Sequence, residues 1–194
     1  SQTPISQTTT THQHHPTSSM KTELIFDLET TGLLRKGSQI HCIVSRDLSD
    51  PDTPMVYDHL PERALLKGVH QIMEADVLIG HNILNFDIPL LKERYPDLDP
   101  KGDKIDTLVL SRLYYPHIKD RDYERQPDGM PIKLYGRHSL EAWGYRLRCF
   151  KGDYGKQTNA WDKYTPEMLE YCKQDTLVTY MLYLHFRNRM NNHG

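Results

Sequence analysis

"TELIFDLETTGL" (residues 22–33) is apolar at Leu24, Ile25 and Phe26, then sets two carboxylates, Asp27 and Glu29, before Thr30, Thr31 and Gly32. Side chains of a strand alternate between two faces, so Asp27 and Glu29 project from the same one. A strand leaving into a polar turn accounts for one such acid. A cation held between them accounts for both. The pair also sits at a strand's end, where open α/β sheets build their sites.

Working outward from this strand, "QIHCIVSRD" (39–47) and "PMVYDHL" (54–60) predict two further strands. Pro61 opens a predicted helix over 61–75, with Ala64, Leu65, Val69, Ile72 and Met73 at helical spacing. "DVLIG" (76–80) is a short apolar run, a buried strand. "FDIPLLKERY" (86–95) predicts a helix that tolerates Pro89 only in its first turn. "KIDTLVLSRLY" (104–114) predicts a brief strand passing into a helix at Asp106. A polar, Gly- and Pro-bearing loop is expected over 115–137, then a short helix in "HSLEAWGYRL" (138–147). Thr165-Pro166-Glu167 starts a last helix running to about Met190. Three strands followed by alternating helix and strand predict an α/β fold with a mixed central sheet flanked by helices.

The chain's 194 residues suit one domain, with 37% hydrophobic and 26% charged residues. The first 19 residues carry no charged side chain and read as a flexible polar arm or tag, whose His12, His14 and His15 read as incidental. The domain is expected over 20–190, with a tail at 191–194. No apolar run approaches the roughly 20 residues of a membrane span, and no signal peptide is visible. Cys42, Cys149 and Cys172 are odd in number and far apart in sequence, suggesting neither a disulfide framework nor a zinc ribbon and favouring a reducing cytoplasm. The net charge of -2 counts against a module that holds nucleic acid by bulk electrostatics. A basic excess between Lys119 and Lys156 reads equally as a solvated surface or a rim for a nucleic-acid backbone.

Two later clusters add carboxylates. "GHNILNFD" (80–87) brackets a turn between Asn82 and Asp87, where Asp87 alone reads as a helix-starting acid. In "YCKQD" (171–175), Tyr171 and Asp175 share a helical face. The apolar neighbours Leu169, Cys172, Leu177, Val178, Met181 and Leu182 bury that helix, where an aspartate is costly unless paired or metal-bound.

Asp27-x-Glu29, Asn82 to Asp87 and Tyr171-x-x-x-Asp175, in this order, resemble the three-motif signature of the DEDD 3′–5′ exonucleases, an RNase H-like (DnaQ-type) superfamily. The tyrosine marks its DEDDy branch; Glu170 stands where the histidine branch would have its histidine. "IDTLVLSRL" (105–113), "HSLEAWGYRL" (138–147), "KGDY" (151–154) and "QDTLVT" (174–179) are similar to the proofreading exonuclease domain of the family A DNA polymerases of T-odd bacteriophages. The resemblance spans residues 22–185, and no polymerase sequence follows within the chain.

That resemblance implies a two-metal-ion 3′–5′ exonuclease releasing nucleoside 5′-monophosphates from single-stranded or frayed DNA. Mg²⁺ or Mn²⁺ would be held by Asp27, Glu29, Asp87 and Asp175. Asp27 would bridge the two ions, Asp87 would reach the second through waters, and Tyr171 would aim the attacking water. The backbone around Thr30 and the side chain of Leu33 would engage the terminal nucleotide, and Asn82 would contact the strand. His81 is expected to be structural, and His138, Trp143 and Tyr145 to pack the short helix. The implied partners are a DNA 3′ end and a DNA polymerase, with no membrane; the protein is expected to be a cytoplasmic monomer, in host cytoplasm if phage-encoded. Two other readings remain: a tyrosine-branch exoribonuclease, and a catalytically dead exonuclease fold used for docking. The intact acidic set disfavours the second.

Overall fold

The computed structural model describes residues 20–31, 39–149 and 163–192. Five strands form one sheet in the order β3-β2-β1-β4-β5: β1 (Glu23–Thr30), β2 (Ile40–Asp47), β3 (Met55–Tyr57), β4 (Val77–Gly80) and β5 (Asp103–Asp106). β1 pairs antiparallel with β2 and β2 with β3, whereas β4 runs parallel to both β1 and β5. The mixed sheet expected from the sequence is therefore present.

The alternation within β1 decides the layering. Leu24, Phe26 and Leu28 point into a core with Val69 and Ile72 of α1 (Leu65–Glu74) and Leu90 and Leu91 of α2 (Ile88–Arg94). Ile25 points the other way, joining Ile79 and Tyr183 of the long helix α6 (Pro166–Asn192). Asp27 and Glu29 follow Ile25 on that face, so the helix that carries Tyr171 and Asp175 lies on their side of the sheet. Cys42 and Val44 of β2 pack there against Leu169 and Cys172 of α6. Burying such side chains stabilises the layer by roughly 1.5–3 kcal/mol each for Val, Leu, Ile or Phe. Arg46 of β2 fixes the helix position further. Its Nε donates to Thr176 Oγ1 at 2.8 Å, and its Nη2 donates to the Lys173 carbonyl at 3.2 Å.

Two elements differ from the expected ones. The helix expected over 61–75 begins only at Leu65, after a 3₁₀ turn at Pro61–Arg63. Ala64, at φ -48° and ψ 120°, breaks the path because the buried Asp58 takes over the backbone there. Asp58 N–H donates to the Arg63 carbonyl, Leu65 N–H donates to the Asp58 carbonyl, and the Asp58 carboxylate pairs with Arg63 at 2.9 Å. The loop expected over 115–137 contains a helix, α4 (Ile118–Arg125), and a 3₁₀ turn at Ile132–Leu134. With few apolar residues, α4 offers little periodicity to read. It is held by Asp122, which accepts from Arg146 Nε at 2.9 Å, Arg146 Nη2 at 2.7 Å and the Gly136 N–H at 2.9 Å. Arg146, one of the basic-rim candidates, is thereby consumed inside the fold.

The other helices fall where the sequence places them: α3 (Thr107–Tyr114), capped by Asp106, and α5 (Leu140–Arg146), capped by Ser139. Trp143 of α5 packs with Tyr115, Val178, Leu182 and Phe186.

Candidate nuclease site

The carboxyl ends of β1 and β4 lie side by side because the two strands run parallel. β1 ends in Asp27, Glu29 and Thr30, with a register shift against β2 between Glu29 and Thr30. Such irregularities bend a strand end and re-aim its side chains. β4 ends at Gly80, where a Cβ would collide with the Ile83 side chain, so the sharp turn requires glycine. Asn82 then adopts a left-handed φ of 63°, and residues Ile83–Asp87 form a π-helical turn before α2. π-helical segments shift side chains relative to a regular helix and recur at functional sites. This one delivers Asp87 to the carboxyl end of the central strand β1, beside the Leu28 backbone.

Asp106, at the neighbouring strand's end, holds that turn. Its carboxylate accepts the N–H groups of Asn82 at 2.8 Å, Leu84 at 3.1 Å and Leu108 at 2.9 Å. In sequence, Asp106 reads only as the start of α3. The Asp-Thr junction following a short strand was the available signal, but its reach to residues 82–84 depends on the parallel β4–β5 pairing.

The four acidic residues anticipated from the sequence converge. Glu29 and Asp87 are buried, at 9% and 3% exposure, while Asp27 and Asp175 keep partial exposure. Burial pushes the Asp27 carboxyl up to about 6, although hydrogen bonds with Asp175 and Cys172 oppose the rise. Burial, followed by the charge of Asp27, pushes Glu29 up to about 9. Asp87 is raised well above the usual carboxylate range by burial and then by Asp27, and Asp175 by burial, Asp27 and Glu29. The cluster therefore resists carrying its full negative charge without a compensating cation.

Two orphaned atoms point the same way. Asp87 Oδ2 and Asp175 Oδ1 are buried with no hydrogen-bond partner. A buried carboxylate oxygen left bare costs free energy that a metal would recover. The carboxylate donors suit a hard divalent cation such as Mg²⁺ or Mn²⁺. The residues present fit a metal site.

Tyr171 is half-buried on α6, one turn before Asp175. Thr30 is buried at the end of β1. Asn82 lines a cavity of ≈ 520 Å³ with His81, Arg112, Arg137 and His138. Leu33 and the polar arm lie outside the described residues, as do Lys151 and Lys156 of the basic stretch.

His81 serves the scaffold. Its Nε2 lies 2.9 Å from the His138 carbonyl, which can only accept, and its Nδ1 lies 2.8 Å from Thr107 Oγ1. Burial pushes its pKa down to about 4, so the ring stays neutral near pH 7. His138 Nδ1 in turn meets Ser111 Oγ, which accepts from Trp143 Nε1.

One feature was not legible as a unit in sequence. Cys172 donates to Asp27 Oδ2 at 3.6 Å and to the Asp27 carbonyl at 3.5 Å. Cys42, paired with Glu29 across the sheet, packs against Cys172. No disulfide links them; all three cysteines are free.

A mixed five-stranded sheet with a long helix laid over an acidic strand end defines an RNase H-like nuclease fold. Within that class the chain belongs to the family of the DNA polymerase family B exonuclease domain, whose model matches residues 2–122. The chain is 32% identical to the DNA-directed DNA polymerase of Enterobacteria phage T3, over 80% of this chain and 25% of that polymerase. It is likewise 32% identical to the DNA-directed DNA polymerase of Escherichia phage T7, with the same two coverages. It thus spans about a quarter of the length of these relatives, and the resemblance to phage polymerase exonuclease domains is borne out. Among solved structures, the fold matches Brucella melitensis NrnC at TM-score 0.63 and 17% identity, over 90% of this chain and 76% of that one. The same protein with bound Mg²⁺ matches at TM-score 0.59 and 18% identity, with the same coverages.

Proposed function

We propose that the chain is a metal-dependent 3′–5′ exonuclease that shortens single-stranded or frayed DNA from its 3′ end. The observation that carries this reading is the meeting of Asp27, Glu29, Asp87 and Asp175, with Asp87 Oδ2 and Asp175 Oδ1 buried and unpartnered. Membership of the polymerase exonuclease-domain family supports it.

Asp27, Glu29, Asp87 and Asp175 would hold Mg²⁺ or Mn²⁺. The bound ions would supply an activated water and neutralise charge at the scissile phosphate. Tyr171 orients that water by a hydrogen bond. A phenolic hydroxyl both donates and accepts hydrogen bonds, so it can position the water that the bound ions would activate. The backbone around Thr30 contacts the terminal nucleotide and Asn82 the strand, and the cavity beside Asn82 offers Arg112 and Arg137 to the strand's phosphates. A frayed mismatch supplies a free 3′ end more readily than a paired terminus does. The expected setting is therefore proofreading, with a DNA polymerase fused or bound to the domain.

The test uses DNA and RNA strands of equal length, with Mg²⁺, with EDTA, and with Asp175→Ala. Stepwise 3′ shortening of DNA, abolished by chelator and substitution, is the expected result. Preferential shortening of RNA would transfer the reading to an exoribonuclease. No degradation of either strand with any divalent cation would overturn the catalytic reading.

A further inference from the structure

We propose that Cys172 adds a soft ligand to the carboxylate site, so that Asp27, Glu29 and Cys172 together bind a thiophilic divalent cation such as Cd²⁺ or Zn²⁺. This rests on the reading that these carboxylates hold a cation.

One potential ligand atom from each of the three residues can be chosen so that all lie within 4.8 Å of one another. Cys172 Sγ is 3.6 Å from Asp27 Oδ2. Bonds of about 2.1 Å to oxygen and 2.3 Å to sulfur in a tetrahedron require donors about 3.6 Å apart, so little movement is needed on that edge. The thiol stands three residues before Asp175 on α6, a spacing that puts both on one helix face. Asp175 is hydrogen-bonded to Asp27 and keeps Oδ1 buried and bare, a further oxygen for the same ion.

Hardness sorts the cations. Mg²⁺ and Mn²⁺ prefer oxygen and leave the thiol proton on its hydrogen bond to Asp27. Cd²⁺ and Zn²⁺ favour sulfur, and their binding forms a metal–sulfur bond while the thiol proton passes to solvent. The same pocket would then hold a thiophilic ion more tightly than the ion it works with, and such an ion would arrest the enzyme. Cys42 packs with Cys172 and is not one of the three ligands.

The probe is CdCl₂, read through the ultraviolet thiolate-to-Cd²⁺ charge-transfer band, in a Cys149→Ser background that removes the half-buried third thiol. A band that saturates at one Cd²⁺ per chain and is displaced by excess Mn²⁺ is expected. Asp27→Asn should weaken Cd²⁺ binding about tenfold or more. Cys172→Ser should abolish the band, while Cys42→Ser should retain it. A band that survives Cys172→Ser, or that Mn²⁺ does not displace, overturns the proposal. The Mn²⁺ competition needs no substitution at the site, so a poorly folded Cys172→Ser protein does not blunt the test. Mg²⁺-dependent DNA shortening is scored separately on the unsubstituted protein. Shortening without any Cd²⁺ band removes this inference and keeps the nuclease reading; a displaceable band without shortening does the reverse.

Discussion

Asp106 holds Asn82 in place: its Oδ1 accepts the Asn82 backbone N–H at 2.8 Å, across a 24-residue separation in sequence. The same carboxylate takes the N–H groups of Leu84 and Leu108, so one side chain joins the β4 turn to the start of α3. Asp106→Ala removes three hydrogen bonds and leaves the N–H groups of Asn82, Leu84 and Leu108 without that acceptor. The expected cost is about 2–4 kcal/mol of unfolding free energy, read by urea titration. Nuclease activity should fall as well, because the freed turn carries Asp87. An unchanged urea midpoint would show that water replaces the carboxylate without loss.

Tyr171 and Asp175 should separate in their effects. Asp175→Ala removes a proposed metal ligand and should lower the rate by about 100-fold or more. Tyr171→Phe removes the proposed hydrogen bond to the attacking water and should cost about tenfold, with metal dependence intact. Single-turnover rates at saturating Mg²⁺ measure both. Equal and complete loss, with circular dichroism unchanged, would contradict the proposed orienting role of the phenol.

Much of this site is legible in sequence because its parts obey local rules. The alternation of β1 puts Asp27 and Glu29 on one face, and the four-residue spacing puts Tyr171 and Asp175 on one face. Cys172 escaped because its significance is tertiary. It and Cys42 are 130 residues apart, and only the packing of α6 on β2 brings the thiols together. Helix α4 escaped for a different reason. Its anchor is the Asp122–Arg146 pair, invisible to a search for apolar periodicity.

Stability should depend on pH in opposite directions at two places. The carboxyls of Asp27 and Glu29 have folded-state pKa values of about 6 and about 9, above their ordinary values of 3.8 and 4.5. The folded metal-free protein therefore holds protons that the unfolded chain gives up. That contribution is full below about pH 4 and is lost as pH rises through 6 and then 9. His81 acts oppositely. Its pKa of about 4 lies below its ordinary 6.5, so its contribution is present above pH 6.5 and is lost as pH falls toward 4. Metal-free protein should lose stability between pH 6 and 9, and Mg²⁺ should restore it. Mg²⁺ at 100 times its dissociation constant adds about 2.7 kcal/mol, or roughly 5–11 °C in Tm. Thermal melts with EDTA and with Mg²⁺ across this range decide the point, and a Tm gap that does not widen with pH would contradict it.

The buried pair of Asp122 and Arg146 gives the last prediction. The two side chains are 2% and 7% exposed and meet at 2.7 Å, with Arg146 also donating to the Arg137 carbonyl at 2.7 Å. Removing one partner strands the other charge where water reaches it poorly, so Asp122→Ala should cost about 3–5 kcal/mol. The loss should be local first, because α4 has few apolar contacts of its own and depends on this carboxylate to bind Gly136 and Arg146. Hydrogen exchange should accelerate across Ile118–Arg125 while β1 and β4 stay protected. Asp122→Asn, which keeps an acceptor but loses the charge, should fall between the two. Uniform acceleration through the sheet would show instead that α4 and the central strands unfold as one unit.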